Sequence, residues 1–169
     1  MPDGGSGHCW QPRCAHMLVG VEQHIELRVL SREAAERYEP RGFEVCISIG
    51  DPRAAFAQLS CAFAAVLRLA FNDIVATPAA EDVLFAAEHA GDVLRFVEQW
   101  PHVERIVVHC QAGVSRSPGV ALGLCDAFGW PVAELEGAFP SWNRWVRRVI
   151  AQRAAAGRGT SLGFVDTST

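Results

Sequence analysis

The chain has 169 residues, 50% of them hydrophobic and 20% charged. That suits one compact α/β unit with a real core and excludes wholesale disorder. A net charge of −4 argues against nucleic acid or an anionic membrane surface as the partner, and no apolar run approaches the roughly 20 residues that span a bilayer.

Taken in chain order, residues 1–16 read as a flexible leader. Met1 to Gly7 lacks the basic start and apolar stretch of a secretory signal. His8, Cys9, Cys14 and His16 are metal-ligand types, but their spacing matches no zinc module, and the Gly, Pro and Ser around them favour an unpacked tail. Met17 is an alternative start. No metal or other cofactor is expected anywhere in the chain.

Residues 17–156 read as a single catalytic domain. Ile25 to Leu30 alternates apolar and polar residues as a half-buried strand does, and Ser31 is placed to cap a helix over Arg32 to Tyr38. Phe43 to Ile49 is a second alternating strand, closed by Gly50-Asp51-Pro52. The Ala-rich stretch from Arg53 to Ala65 is ambiguous, with one helix expected. Val66 to Phe71 returns to strand alternation and breaks at Asn72-Asp73. Glu81 to Trp100 carries a helical stripe through Phe85, His89, Val93, Phe96, Val97 and Trp100, with Glu81 and Asp82 complementing the helix dipole at its start. Arg105 to His109 is an apolar strand, Ser117 to Phe128 the helix behind it, and two more helices follow near Val132 to Ala138 and Ser141 to Arg153. Residues 157–169 read as a frayed tail. The fold class is therefore α/β, with a central, mainly parallel four- to five-stranded sheet flanked by helices on both faces.

The segment with most chemical content is His109-Cys110-Gln111-Ala112-Gly113-Val114-Ser115-Arg116-Ser117. A Cys at the end of a buried strand is followed by small or neutral residues, an Arg and a helix. The thiolate is the attacking form of a Cys, and helix N-termini and cations favour it. Backbone N–H groups from Gln111 through Ala112, Gly113, Val114 and Ser115 to Arg116 could form an anion nest. Gly113 permits the turn, and Arg116 offers a planar fork to two oxygens at once, which Lys cannot do. The chain contains no Lys. Cys110 and Arg116 six positions apart would be weak evidence alone, given six Cys and fifteen Arg; the strand, the flanking His109, the mid-loop Gly and the hydroxyl of Ser117 make the signal specific.

These nine residues resemble the phosphate-binding loop of the cysteine-dependent protein tyrosine phosphatases, in particular the small dual-specificity branch of bacterial type. The resemblance implies hydrolysis of phosphate monoesters on protein side chains through a cysteinyl-phosphate, with Cys110 as nucleophile, Arg116 and the loop amides on the phosphoryl group, Ser117 assisting departure of the thiolate, and His109 orienting the Cys. It also implies a general acid on a loop after the strand that precedes the long helix. Asp73 in Leu69-Ala70-Phe71-Asn72-Asp73-Ile74 fits that place; Asp82 and then Asp51 rank behind it. Pro140-Ser141-Trp142-Asn143 resembles the Pro-Asn element before the last helix of the family, but two residues separate the Pro from the Asn, and Trp142 and Trp145 read as packing.

Gln111, Ala112, Val114 and Ser115 are all neutral, so the loop matches one phosphoryl group better than several. The expected partner is a phosphorylated protein or a small aryl phosphate, with phosphotyrosine foremost and phosphoserine or phosphothreonine as further candidates. No nucleic-acid or membrane partner is expected, and the chain is expected to be monomeric. A reactive thiol needs a reducing compartment, so the cytoplasm is the expected location. A catalytically weak phospho-binding module and a rhodanese-type sulfurtransferase are the alternatives. His89 and His102 read as structural and solvated, and Arg144, Arg147 and Arg148 as a solvated basic face, with a substrate-docking patch as the alternative.

Overall fold

A computed structural model describes residues 25–74 and 78–159. The leader at 1–16, with its His and Cys residues, lies outside them. Four strands, β1 (Glu26–Ser31), β2 (Glu44–Gly50), β3 (Ala65–Ala70) and β4 (Arg105–Cys110), form one all-parallel sheet in the order β1-β4-β2-β3. The helices are α1 (Arg32–Glu36), α2 (Ala87–Glu98), α3 (Arg116–Phe128), α4 (Ala133–Ala138) and α5 (Arg144–Gly159). Ser31 caps α1 as expected, accepting from the Ala34 N–H at 3.2 Å. Because α5 runs to Gly159, residues 157–159 belong to a helix.

Strand alternation divides the core. Val45, Ile47 and Ile49 of β2 and Ile106, Val108 and Cys110 of β4 face one side, where they pack with α2, α3 and α5. Cys46 and Val107 face the other, beside Phe63, Tyr38 and Leu59. α3 is buried along nearly its whole length. At Gly119 a Cβ would lie 2.8 Å from the Asn143 carbonyl oxygen, so the missing side chain lets the start of α5 approach the start of α3.

Two expected elements differ. Residues 53–64 form no helix. Their carbonyls are taken by side chains from elsewhere: Arg32 Nη1 donates to Ala55 at 2.9 Å, Arg32 Nη2 to Phe56 at 3.3 Å and Arg68 Nη1 to Ala57 at 3.3 Å. Tertiary partners thus replace the intrahelical bonds that alanine propensity favours. The long helix begins at Ala87, not Glu81. Val83 pairs with Asn72 through two 2.8 Å bonds, N–H to Oδ1 and C=O from N–H, which holds this stretch extended. Asp82 accepts from the Ala79 N–H at 2.8 Å instead of starting the helix.

All four strands end on the same edge. There the loop after β4 lies between Ser31 of β1 and Asp51 after β2, with Asn72-Asp73 after β3 beyond. Open parallel sheets place their ligand crevices at this carboxyl edge.

Candidate active site

Beyond β4 the backbone curls round one sulfur. The Gly113 N–H donates to Cys110 Sγ at 3.3 Å, and the Ser117 hydroxyl in the first turn of α3 donates to it at 3.1 Å. Residues three and seven positions on therefore converge on the same atom, so the segment is a bowl with Cys110 at its floor, 2% exposed. Gly113 has φ +76°, and a Cβ there would sit 2.7 Å from the Ser31 nitrogen. Only glycine accepts both the dihedral and the contact. Among the described residues, the N–H groups of Ala112, Val114 and Ser115 donate to no protein acceptor. A concavity of free amides at a helix N-terminus suits an anion.

Arg116 closes the bowl and is 4% exposed. Its Nη1 donates to Asp51 Oδ1 at 2.8 Å, to the Phe71 carbonyl at 2.8 Å and to the Gly50 carbonyl at 3.4 Å. Its Nε is buried without a partner. One corner of the guanidinium is thus anchored to β2 and β3, while the Nε–Nη2 edge, which could grip two oxygens of an oxyanion, is left free. A buried, unsatisfied donor on a cation is costly, and a bound anion would satisfy it.

Asp73 reaches the rim of this bowl. Its Oδ1 accepts from the Ser115 hydroxyl at 2.8 Å and from Asn143 Nδ2 at 2.9 Å. Asp82 makes no such contact. Asp51 does belong to the site, but as the ion-pair partner of Arg116. Asn143, 2% exposed, was named in the Pro-Asn-like segment but given no place in the site. Besides holding Asp73, its Nδ2 donates to the Ile74 carbonyl at 3.3 Å, its Oδ1 accepts from the Trp145 and Val146 N–H groups at the start of α5, each at 3.1 Å, and its N–H donates to the Ser115 carbonyl at 3.0 Å.

His109 points to the other face of the sheet. Its Nε2 lies 2.8 Å from Ser48 Oγ, and its Nδ1 is buried without a partner. Burial pushes its pKa from 6.5 down to about 4, against a raising effect of the Cys110 backbone, so the ring is neutral near pH 7. Ser48 is a second residue missed, although a lone polar residue inside Val45-Cys46-Ile47-Ser48-Ile49 was the available signal. His89 is structural, as expected: it stacks on Phe85 at 5.5 Å, and its Nδ1 accepts from the Ala86 N–H at 3.1 Å. Cys46 and Cys125 are buried, their thiols pushed up to about 12 and about 11, mainly by desolvation. Among the described residues, no cluster of three or more His, Cys, Asp or Glu could hold a metal ion, and no helix is long and apolar enough to cross a membrane.

No protein-family model matches the chain, and no curated protein matches it in sequence. Solved structures do match. Human DUSP28 is 19% identical with a TM-score of 0.56, covering 82% of this chain and 97% of its own. The chain has the fold of the cysteine-based dual-specificity phosphatases. Tk-PTP in its active form (16% identity, TM-score 0.51, 78% and 95% covered) and PTPMT1 in complex with PI(5)P (14%, 0.51, 82% and 96%) share this phosphatase fold.

Proposed function

We propose that this protein hydrolyses phosphate monoesters on protein side chains, phosphotyrosine foremost, through a cysteinyl-phosphate. The observation that carries the reading is the Cys110 sulfur with donors from Gly113 and Ser117 converging on it, beside an Arg116 whose Nε is buried and unpartnered. The phosphoryl group takes the bowl: its oxygens meet the amides of Ala112, Val114 and Ser115 and the free edge of Arg116. The Cys110 thiolate attacks phosphorus in line. The S–P bond forms as the ester P–O bond breaks, and the Asp73 carboxyl gives its proton to the departing oxygen.

A water molecule then attacks phosphorus and passes a proton back to Asp73. The S–P bond breaks, inorganic phosphate leaves, and the Ser117 hydroxyl supports the sulfur as it regains negative charge. Asn143 and Ser115 hold Asp73 over the leaving group throughout. His109, neutral and hydrogen-bonded to Ser48, packs beneath the strand end and takes no proton. The fold shared with human DUSP28 and Tk-PTP supports this reading.

The test is hydrolysis of an aryl phosphate by the wild type beside Cys110→Ser. Vanadate-sensitive turnover that disappears in the variant supports the reading; equal rates, or phosphate binding with no turnover in the wild type, would reject it.

A further inference from the structure

Beside Asp73 the surface sinks into a groove of about 620 Å³ lined by Ile74, Leu84, Trp142, Trp145, Arg144 and Arg148, among others. It adjoins the loop that carries Asp73. Asn143, which holds Asp73, lines it, and so does Ile74, whose carbonyl Asn143 also binds.

Its charge runs against that of the molecule. The chain carries −4 overall, yet among the described residues no carboxylate lines the groove. On α5, Arg147 is neutralised by Asp126, at 2.6 Å, and by Glu136. Arg144 and Arg148, on one helix face four residues apart, have no carboxylate partner among the described residues. The apolar part of the groove is built and held. Trp145 is 46% exposed, with its indole N–H fixed to the Phe85 carbonyl at 2.9 Å. Trp142 lies under the guanidinium groups of Arg144 and Arg147, at 5.7 and 4.9 Å.

We infer that this groove docks the peptide around the phosphorylated residue and selects a segment bearing an acidic and a bulky apolar side chain. The inference rests on the phosphatase reading and names its substrate class. Two unpaired guanidinium groups match one or two carboxylates; an anionic bilayer is recognised by larger basic clusters of about four to eight residues. An exposed indole beside cations, as Trp145 is, belongs to the side chains that dominate peptide recognition.

The experiment uses the full chain and three phosphotyrosine peptides that differ only in flanking residues: Glu and Leu, Ser and Ala, or Arg and Leu. For each protein, kcat/KM on the peptides is divided by its own value on an aryl phosphate too small to reach the groove. The wild type should prefer the Glu/Leu peptide over the Ser/Ala peptide by about tenfold, the size expected of one partly exposed carboxylate held by the two guanidinium groups together with a partly buried Leu, with the difference in KM. In R144A/R148A the ratio should fall severalfold, to the smaller preference for Leu over Ala that Trp145 still gives, and in R144E/R148E the preference between the two Leu peptides should pass to the Arg/Leu peptide. An unchanged ratio in both variants, or a wild type indifferent to the flanks, overturns the inference. So does a preference for phosphatidylcholine vesicles carrying a phosphoinositide that the charge reversal abolishes, which would assign the groove to a lipid surface. If the wild type fails to hydrolyse even the aryl phosphate, the phosphatase reading itself falls. The groove is then judged by peptide affinity alone, from tryptophan fluorescence, with the same selectivity expected and its absence overturning the inference.

Discussion

Asn143 Nδ2 donates to Asp73 Oδ1 across 2.9 Å, joining residues seventy positions apart. The bond ties the loop after β3 to the start of α5, and through the Asn143 N–H to the Ser115 carbonyl. If Asp73 is the proton donor, Asp73→Asn should lower kcat on aryl phosphates on the order of 100-fold while vanadate still binds. Asn143→Ala should lower it about tenfold, the scale of one hydrogen bond to a charged group. The double variant should match Asp73→Asn, because the two side chains act as a unit. Additive losses in that cycle would show that Asn143 acts elsewhere.

Ser117 Oγ lies 3.1 Å from the Cys110 sulfur and is buried, so its role should appear in the second chemical step. Ser117→Ala should form the phosphoenzyme at a near-normal rate and release it slowly, with kcat down on the order of 100-fold, the scale of one lost donor to a developing anion. Rapid mixing with a chromogenic aryl phosphate should then show a burst equal to the enzyme concentration. A slow single phase without a burst would place Ser117 in the first step or in folding.

The residues that form the bowl were legible in the sequence because they are local. Cys110, Gly113, Arg116 and Ser117 lie within eight residues, and strand–loop–helix geometry brings them together without help from distant parts of the chain. Asp73 was legible as a position at a strand end, though its hydrogen bonds were not. What brings Asn143 to Asp73 is the close approach of α5 to α3 at Gly119, a packing relation with no sequence period. The irregular path of 53–64 was hidden for a similar reason: Arg32 and Arg68 supply its hydrogen bonds from outside the segment. Likewise the Asn72–Val83 pairing that delays α2 joins residues eleven apart, beyond the reach of a helical stripe.

Arg116 tests whether planar geometry matters more than charge. In Arg116→Lys the positive charge stays, but one ammonium cannot both reach Asp51 and the Phe71 carbonyl and present a fork to an anion. Both KM and kcat on an aryl phosphate should suffer, with kcat/KM down on the order of 100-fold or more. A Lys variant within a few-fold of the wild type would show that the free Nε edge is not what holds the phosphoryl group.

Gly113→Ala combines a forced φ of +76° with a 2.7 Å contact to the backbone of Ser31. Since the contact is with backbone, no side-chain rotation relieves it. Stability in urea should fall by roughly 1–3 kcal/mol, and activity should fall further than stability explains, because the displaced N–H is the one that meets the Cys110 sulfur. A variant of normal stability and activity would mean that the bowl tolerates a different backbone path.

His109 makes stability depend on pH in a definite direction. Its folded pKa, about 4, lies below the unfolded 6.5 because burial disfavours the charged ring. Between those values the unfolded chain binds more protons than the folded one, so stability rises with pH there. The contribution is complete above pH 6.5 and is lost as the pH falls through about 4, amounting to roughly 3 kcal/mol. His109→Gln keeps a hydrogen-bonding group near Ser48 and removes the titration. Chemical denaturation at pH 7 and at pH 4.5 should therefore show the wild type losing more stability on acidification than the variant. Parallel losses in the two proteins would assign the acid sensitivity to carboxylates such as Glu26, whose pKa its hydrogen bond to Arg105 lowers, and would leave His109 without a measurable proton linkage.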